Sequence, residues 1–291
     1  MYPGNFDYYR PATLAEAIKI LSKDKHAKVL AGGHSLLPAM KLRAAEPGAL
    51  VDIGRVKGLS GIKVGKKDVK IGAMTTHAMV AASKDLARAC PILPETAAMI
   101  GDVQVRNRGT MGGSLAHADP AADYPTVMLA LDAVFTAAGK AGTRDIPAGK
   151  FFKDLLTTAL KQGEILTAIT VPAYGGMKGM GGAYLKHRHP ASSYVVVGVA
   201  ALMSLGSDGS VERVSIALGG ATAKPVRCKA AEAALTGKAP SDENIAAAAA
   251  LVAEAIDMPM SDHYASADYR AHLAKVLAKR ALMKARERAA G

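Results

Sequence analysis

The chain has 291 residues and half of them are hydrophobic, enough for two or three domains with sizeable cores. Two cysteines, Cys90 and Cys228, exclude a disulfide scaffold, a zinc ribbon and a self-contained iron–sulfur centre. The net charge is +12, but aromatics are only 4% and Trp is absent, so the stacking platforms of a nucleic-acid binder are missing.

In chain order, the opening Met1–Asp7 has neither a basic nor an apolar leader pattern, so no secretory signal is expected and a reducing cytoplasm is the expected compartment. Thr13-Leu14-Ala15-Glu16 is a capping box, and Leu14, Ala17, Ile18 and Leu21 then follow at helical spacing. Lys28–Ala31 reads as a strand running into Gly32-Gly33-His34-Ser35, Leu36–Arg43 as a short helix and Leu50–Ile53 as a strand. From Gly58 the pattern changes. Ile62/Val64 and Val69/Ile71 alternate around Gly65–Asp68, which predicts a hairpin. Helices are expected over Thr76–Ala89 and Leu93–Ile100, ahead of a second glycine-rich segment, Arg108–Ser114. Apolar stretches follow at Val127–Ala138 and Ile165–Val171.

Pro172–Gly182 carries five glycines without a strand-to-helix context, so it reads as a connection between domains. Tyr194–Leu205 and Val211–Leu218 read as strands. Helices are expected over Lys229–Leu235, with Gly237 as its terminating glycine, and over Asp242–Ile256 and Asp268–Ala289. The last 22 residues hold half the excess charge, in Arg270, Lys275, Lys279, Arg280, Lys284, Arg286 and Arg288 against Glu287, and read as a solvated cationic helix face. No stretch is long and apolar enough to span a bilayer.

Glycine lets backbone N–H groups approach a phosphate, and two such loops could grip a diphosphate from two sides. The G-x-G-x-x-G and Walker A spacings are absent. Asp52 lies 20 residues after Gly32 but reads as a strand-end turn residue rather than a ribose ligand. No nucleophile–base pair stands out, which fits chemistry carried by a cofactor.

These two glycine segments also carry a resemblance. Ala31-Gly32-Gly33-His34-Ser35-Leu36-Leu37-Pro38-Ala39-Met40-Lys41-Leu42-Arg43 and Thr110-Met111-Gly112-Gly113-Ser114-Leu115-Ala116-His117-Ala118-Asp119-Pro120-Ala121-Ala122-Asp123 resemble the two flavin motifs of the FAD-binding medium subunits of molybdenum hydroxylases. Pro3–Tyr8, Ile71–Thr76 and Gly163–Thr167 fit the same pattern, so the resemblance spans essentially the whole chain. It is nearest the aerobic carbon monoxide dehydrogenase type; xanthine dehydrogenases carry the same module.

The resemblance implies an α+β chain. A two-part FAD-binding domain of the vanillyl-alcohol-oxidase/MurB type would occupy residues 1–57 and 58–175, and a sheet-plus-helices domain residues 176–291. It implies non-covalent FAD, with Ala31, Gly32, Gly33, His34, Ser35, Leu36 and Leu37, and Thr110, Met111, Gly112, Gly113 and Ser114, around the diphosphate. Ile100 would pack near the flavin, Asp123 would point to the adenosine ribose, Leu166 would line the cleft, Lys186 would sit near the ring system and Tyr194 would stack over it. On the residues alone, Asp123 equally reads as a helix cap, Lys186 as a surface lysine, Tyr194 as strand packing and His187-x-His189 as an exposed pair. The implied partners are a large molybdopterin-containing subunit and a small subunit with [2Fe–2S] clusters, in a dimer of heterotrimers. The implied role is electron transfer from those clusters to an external acceptor, the alternative being a stand-alone FAD oxidase or reductase of the same fold.

Overall fold

The computed structural model describes all residues, Met1–Gly291. The first unit runs β1 (Asp7–Tyr9), α1 (Leu14–Lys23), β2 (Ala27–Leu30), α2 (Leu36–Lys41), β3 (Ala49–Asp52), with a parallel sheet in the order β1-β3-β2. The capping box forms as read: the Thr13 hydroxyl accepts from Glu16 N at 3.2 Å and the Glu16 carboxylate accepts from Thr13 N at 3.3 Å. Asp52 closes β3 as a turn residue, accepting from Gly54 N (2.8 Å) and the Tyr8 hydroxyl (2.5 Å).

The second unit begins with the hairpin β4 (Ile62–Val64) and β5 (Asp68–Gly72). Six short helices follow: α3 (His77–Ala82), α4 (Lys84–Ala89), α5 (Ile92–Ala98), α6 (Val103–Arg108), α7 (Met111–His117) and α8 (Asp123–Ala130). The single helix expected over Thr76–Ala89 is broken at Ser83, whose extended backbone ends α3 and whose hydroxyl caps Leu86 N to start α4. The apolar stretch Val127–Ala138 divides between α8, which is buried on every side, and β6 (Val134–Gly139). β7 (Gly142–Pro147), α9 (Ala148–Phe151), the small pair β8 (Phe152–Asp154) and β9 (Thr157–Thr158), and β10 (Ile165–Pro172) complete the unit, whose main sheet has the order β4-β5-β10-β6-β7. Along β10, Ile165 packs into the core of the first unit and Leu166 into that of the second, so the two cores meet at this strand.

Only residues 173–179 of the expected connection join β10 to β11 (Met180–Arg188), because Met180, Gly181 and Gly182 already belong to that strand, the first of an antiparallel sheet with β12 (Val195–Leu205), β13 (Val211–Gly219) and β14 (Val226–Arg227). Gly181 is there for helix packing, since a Cβ on it would lie 2.0 Å from the Ala285 carbonyl oxygen of α12 (Ala267–Ala290). α10 (Lys229–Leu235) ends through Gly237 at φ +77°, as expected of a terminating glycine, and α11 (Asp242–Ala250) passes into a 3₁₀ turn, Leu251–Ala255. β12 is apolar on both faces because both are covered. Ala200 and Leu202 face the core built around α8, while Val199, Ala201 and Met203 face the helices α10–α12.

The solvated cationic reading of the last helix holds for Lys275, Lys279 and Arg280, which are exposed, but not for three of its arginines. Arg270 is 5% exposed and donates to the carbonyls of Val196 and Gly220, both at 2.6 Å. Arg286 pairs with Asp242, and Arg288 forms a bidentate pair with Glu95 at 2.8–2.9 Å. These arginines hold the domain together rather than facing water. No helix of the chain is long and apolar enough to cross a membrane.

Candidate functional site: a glycine-lined cradle

The strand-to-loop-to-helix passage from β2 to α2 exposes a run of main-chain donors. The N–H groups of Gly32, Gly33, His34 and Ser35 donate no hydrogen bond within the chain, and Ser35 does not cap α2 through its side chain. Gly33 takes φ +78°, a left-handed conformation that a residue with a side chain resists. Successive unpaired N–H groups around such a turn form an anion-binding concavity. His34 folds back over it, its Nδ1 lying 3.0 Å from the Gly32 carbonyl.

The second glycine segment lies directly against the first. A Cβ on Gly32 would sit 2.2 Å from the Arg108 carbonyl oxygen and 2.8 Å from Gly109 Cα. The two segments contribute differently, however. In the second, Met111 N donates to Thr75 O (3.0 Å), Gly112 N to Ala73 O (2.8 Å), Gly113 N to the Thr110 hydroxyl (3.1 Å) and Ser114 N to Thr110 O (3.0 Å). The two segments are therefore asymmetric: Gly32–Ser35 leave four main-chain donors free, whereas Met111–Ser114 engage theirs within the chain and pack closely. Gly112 serves that packing, since a Cβ there would lie 2.4 Å from Ala73 Cβ.

His77, which sequence reasoning left out of the site, is buried behind this wall. Its Nε2 approaches Gly109 so closely that a Cβ there would stand 2.6 Å away, and its Nδ1 has no partner. Burial, with His34 and Arg106 nearby, lowers its pKa to about 4, so the ring is neutral. No periodicity marked it; its signal was its place after Thr76, the cap of α3.

Of the remaining expected residues, Lys186 brings Asp123 together with the neighbours of Ile100 and Tyr194. Tyr194 is 45% exposed and lies just outside β12, which starts at Val195, so the strand-packing reading is overturned. Burial and the Asp119 carboxylate push its phenol up, while the Ser35 side chain of the first loop pulls it the other way. Tyr194 thus lies beside the first loop. Ile100 is half-buried at the end of α5, its carbonyl accepting from Arg106 at 2.9 Å. Leu166 is buried in the core on β10.

Lys186 and Asp123 require the largest revision. Their side chains are 3% and 5% exposed and form an ion pair of 2.8 Å, so Lys186 is not a surface lysine. Asp123 is the first residue of α8 but caps nothing, since the cap position is Ala122. Its carboxylate accepts from the Tyr184 hydroxyl at 3.0 Å as well as from Lys186. Burial pushes Asp123 up to about 6 against the opposing pull of Lys186 and Tyr184. The resemblance put Asp123 and Lys186 at opposite ends of an extended dinucleotide. The structure joins them in one ion pair beside Met99 and Ser193, the neighbours of Ile100 and Tyr194. His187 and His189 are not a free pair either, since both rings pack against Tyr264.

The two cysteines are free thiols in different cores. Burial raises both, Cys228 to about 12, which keeps the sulfurs protonated.

The cradle fits FAD in its donor chemistry: free N–H groups for a diphosphate, a wall with no room for a Cβ and a half-exposed tyrosine above. The comparisons agree. Residues 4–174 match the family model described as the FAD binding domain in molybdopterin dehydrogenase, and residues 183–285 that of the CO dehydrogenase flavoprotein C-terminal domain. The chain is 39% identical to the carbon monoxide dehydrogenase medium chain of Hydrogenophaga pseudoflava, over 97% of each protein. It is 38% identical to the 6-hydroxypseudooxynicotine dehydrogenase complex subunit alpha of Paenarthrobacter nicotinovorans, over 99% of this chain and 97% of that one. Among solved structures it superposes on a chain of the Hydrogenophaga pseudoflava carbon monoxide dehydrogenase lacking the Mo-pyranopterin moiety, with a TM-score of 0.94, 42% identity and 99% of both chains covered. The chain therefore belongs to the FAD-binding medium subunits of the molybdenum hydroxylase family, the oxidoreductase subunits of the carbon monoxide and xanthine dehydrogenase kind.

Proposed function

We propose that this chain is the electron-transfer subunit of a three-component molybdenum hydroxylase. It would take electrons from the [2Fe–2S] clusters of a small partner, which are fed by a large molybdopterin-containing partner, and pass them to an external acceptor. The observation that carries this reading is the unpaired N–H run Gly32–Ser35 walled by the second glycine segment.

Bound FAD supplies the redox chemistry, accepting electrons on one side and releasing them on the other. The chain's own residues hold and shield it. Gly32–Ser35 orient the diphosphate through main-chain donors, with Ala31, Leu36 and Leu37 framing the loop. Thr110–Ser114 form the wall that fixes the depth of the cradle. Ile100 and Leu166 provide apolar backing, and Tyr194 covers the ring and limits what can reach it. His34, hydrogen-bonded to its own loop, is a filler rather than a covalent anchor, so the flavin is held non-covalently. Residues 1–57 and 58–175 form the two sides of the cradle and residues 176–291 bring Tyr194 to it. The complex would work in the cytoplasm as a dimer of heterotrimers. The substrate of the large partner is not written in this chain, since relatives of similar identity belong to complexes named for carbon monoxide and for 6-hydroxypseudooxynicotine.

Purification of the tagged chain from its native cell tests the reading. It should bring down a molybdenum-containing large chain and a small iron–sulfur chain in equal amounts. Recovery of a flavoprotein that turns over substrate without either would instead establish a stand-alone oxidase or reductase.

A further inference from the structure

An ammonium group has three protons to donate. In Lys186 all three are accounted for: the Met99 carbonyl at 3.0 Å, the Ser193 carbonyl at 2.7 Å and the Asp123 carboxylate at 2.8 Å. Nothing is left for a ligand, so any influence of Lys186 on a bound flavin passes through those partners.

The partners are distant in sequence and meet only here. Met99 ends α5 and precedes Ile100. Asp123 opens α8. Ser193 precedes Tyr194 in the turn between β11 and β12, and takes φ +59°, a left-handed conformation unusual for a residue with a side chain. The same turn is drawn together by hydrogen bonds from Ser193 N to His189 O (2.9 Å), His189 N to Tyr194 O (2.8 Å) and Val195 N to Ala121 O (3.0 Å). Tyr184 sits two residues before Lys186 on β11, hence on the same face, and steadies the Asp123 carboxylate from the other side. Room for its phenol comes from Gly198 on β12, where a Cβ would stand 2.6 Å from the Tyr184 hydroxyl oxygen. A buried ion pair is weak evidence for stability; its better-attested use is to fix one arrangement among several.

We propose that Lys186 is a positioning residue that fixes the Tyr194 ring over the cofactor by tying the Ser193 carbonyl to the end of α5 and the start of α8. The proposal rests on the reading that Tyr194 covers the flavin. Asp123 completes the clamp as its counter-ion, and because burial already favours its neutral form, it can take up a proton when the ammonium is removed. That makes neutral substitutions at Lys186 compatible with folding.

The test compares wild type, Lys186→Met, Tyr194→Ala and the double variant, each as the full chain loaded with FAD. Flavin absorbance and fluorescence are read together with amide exchange over residues 189–195. Lys186→Met should keep its FAD, because the donors at Gly32–Ser35 are untouched. It should shift the flavin spectrum as Tyr194→Ala does, and speed exchange at Ser193 and Val195 about tenfold or more. The double variant should shift no further than Tyr194→Ala, since both act through one contact. Additive shifts would mean that Lys186 acts on the flavin directly, and would overturn the proposal. A lowered melting temperature with unchanged spectrum and unchanged exchange would make Lys186 merely structural, with the same consequence. An unaltered spectrum in Tyr194→Ala would overturn the covering role and the proposal with it; its signature differs from a failed clamp, because exchange over 189–195 would still respond to Lys186→Met. Should Lys186→Met not fold, Lys186→Gln keeps two of the donors and should give a smaller rise in exchange over the same residues; no rise would refute the clamp.

Discussion

Replacing Gly32 by Ala is the smallest change that tests whether the two glycine segments form one cradle. The added Cβ would stand 2.2 Å from the Arg108 carbonyl oxygen, where ordinary contact begins at 3.4 Å, so more than an ångström of separation must be found. The wall is poorly able to yield. Gly109 N donates to Val105 O at 2.7 Å, and Gly109 O accepts from His77 N at 3.0 Å. The first loop must therefore move, carrying its free N–H groups out of place. Overpacking of this kind costs about 1–3 kcal/mol, which at about 1.4 kcal/mol per decade is roughly a five- to hundredfold weaker hold on FAD. Gly149→Ala is the control, since a Cβ there meets nothing within 4 Å. Flavin stoichiometry of the purified proteins, followed by titration of the stripped chains with FAD, measures the effect. Wild-type affinity in a folded Gly32→Ala protein would show that the contact between the segments plays no part in holding the cofactor.

Tyr194→Ala should alter the flavin spectrum while lowering stability far less than the ~3–5 kcal/mol of a buried aromatic truncation, because the side chain is 45% exposed; spectra and thermal melts of the same samples check both halves. His77 has a folded-state pKa of about 4 against an ordinary value of 6.5, so the unfolded chain binds more protons between those values and stability falls as pH drops through that window. The shift corresponds to about 3 kcal/mol of pH-dependent stability, and His77→Leu should flatten that part of a denaturation-versus-pH curve, leaving the opposite and smaller trend that the raised Asp123 contributes. Arg270→Met leaves the Val196 and Gly220 carbonyls without their donor and should destabilise the chain by about 3–5 kcal/mol in urea unfolding, whereas Lys275→Met, on the exposed side of the same helix, should change it by less than about 0.5 kcal/mol.

Local features were legible in the sequence because their causes are local. The Thr13–Glu16 box, the β4–β5 hairpin and the Gly237 terminus each follow from residues within a few positions of one another. The cradle was half legible. Glycine clusters announce unusual backbone, but they do not say whether a glycine shapes an open turn, as Gly33 does at φ +78°, or packs against another segment, as Gly112 does against Ala73. The group gathered by Lys186 was least legible. Lys186 and Asp123 are 63 positions apart, and nothing in either neighbourhood says that one ammonium will gather Met99, Asp123 and Ser193. The arginines of α12 misled for the same reason: charge counts locate cations in the chain, while Arg270 and Arg288 are spoken for by carbonyls and carboxylates from β12 and α5.

On the function proposed above, this chain carries electrons on FAD without oxidising the hydroxylase substrate itself. Anaerobic mixing tests it most directly. The FAD-loaded chain alone is presented with carbon monoxide, an aldehyde and a purine, and the flavin absorbance is followed; the purified large and small partner chains are then added. The flavin should stay oxidised in the first step and be bleached by the complex's own substrate only in the second. Bleaching by any of these compounds in the isolated chain would contradict it.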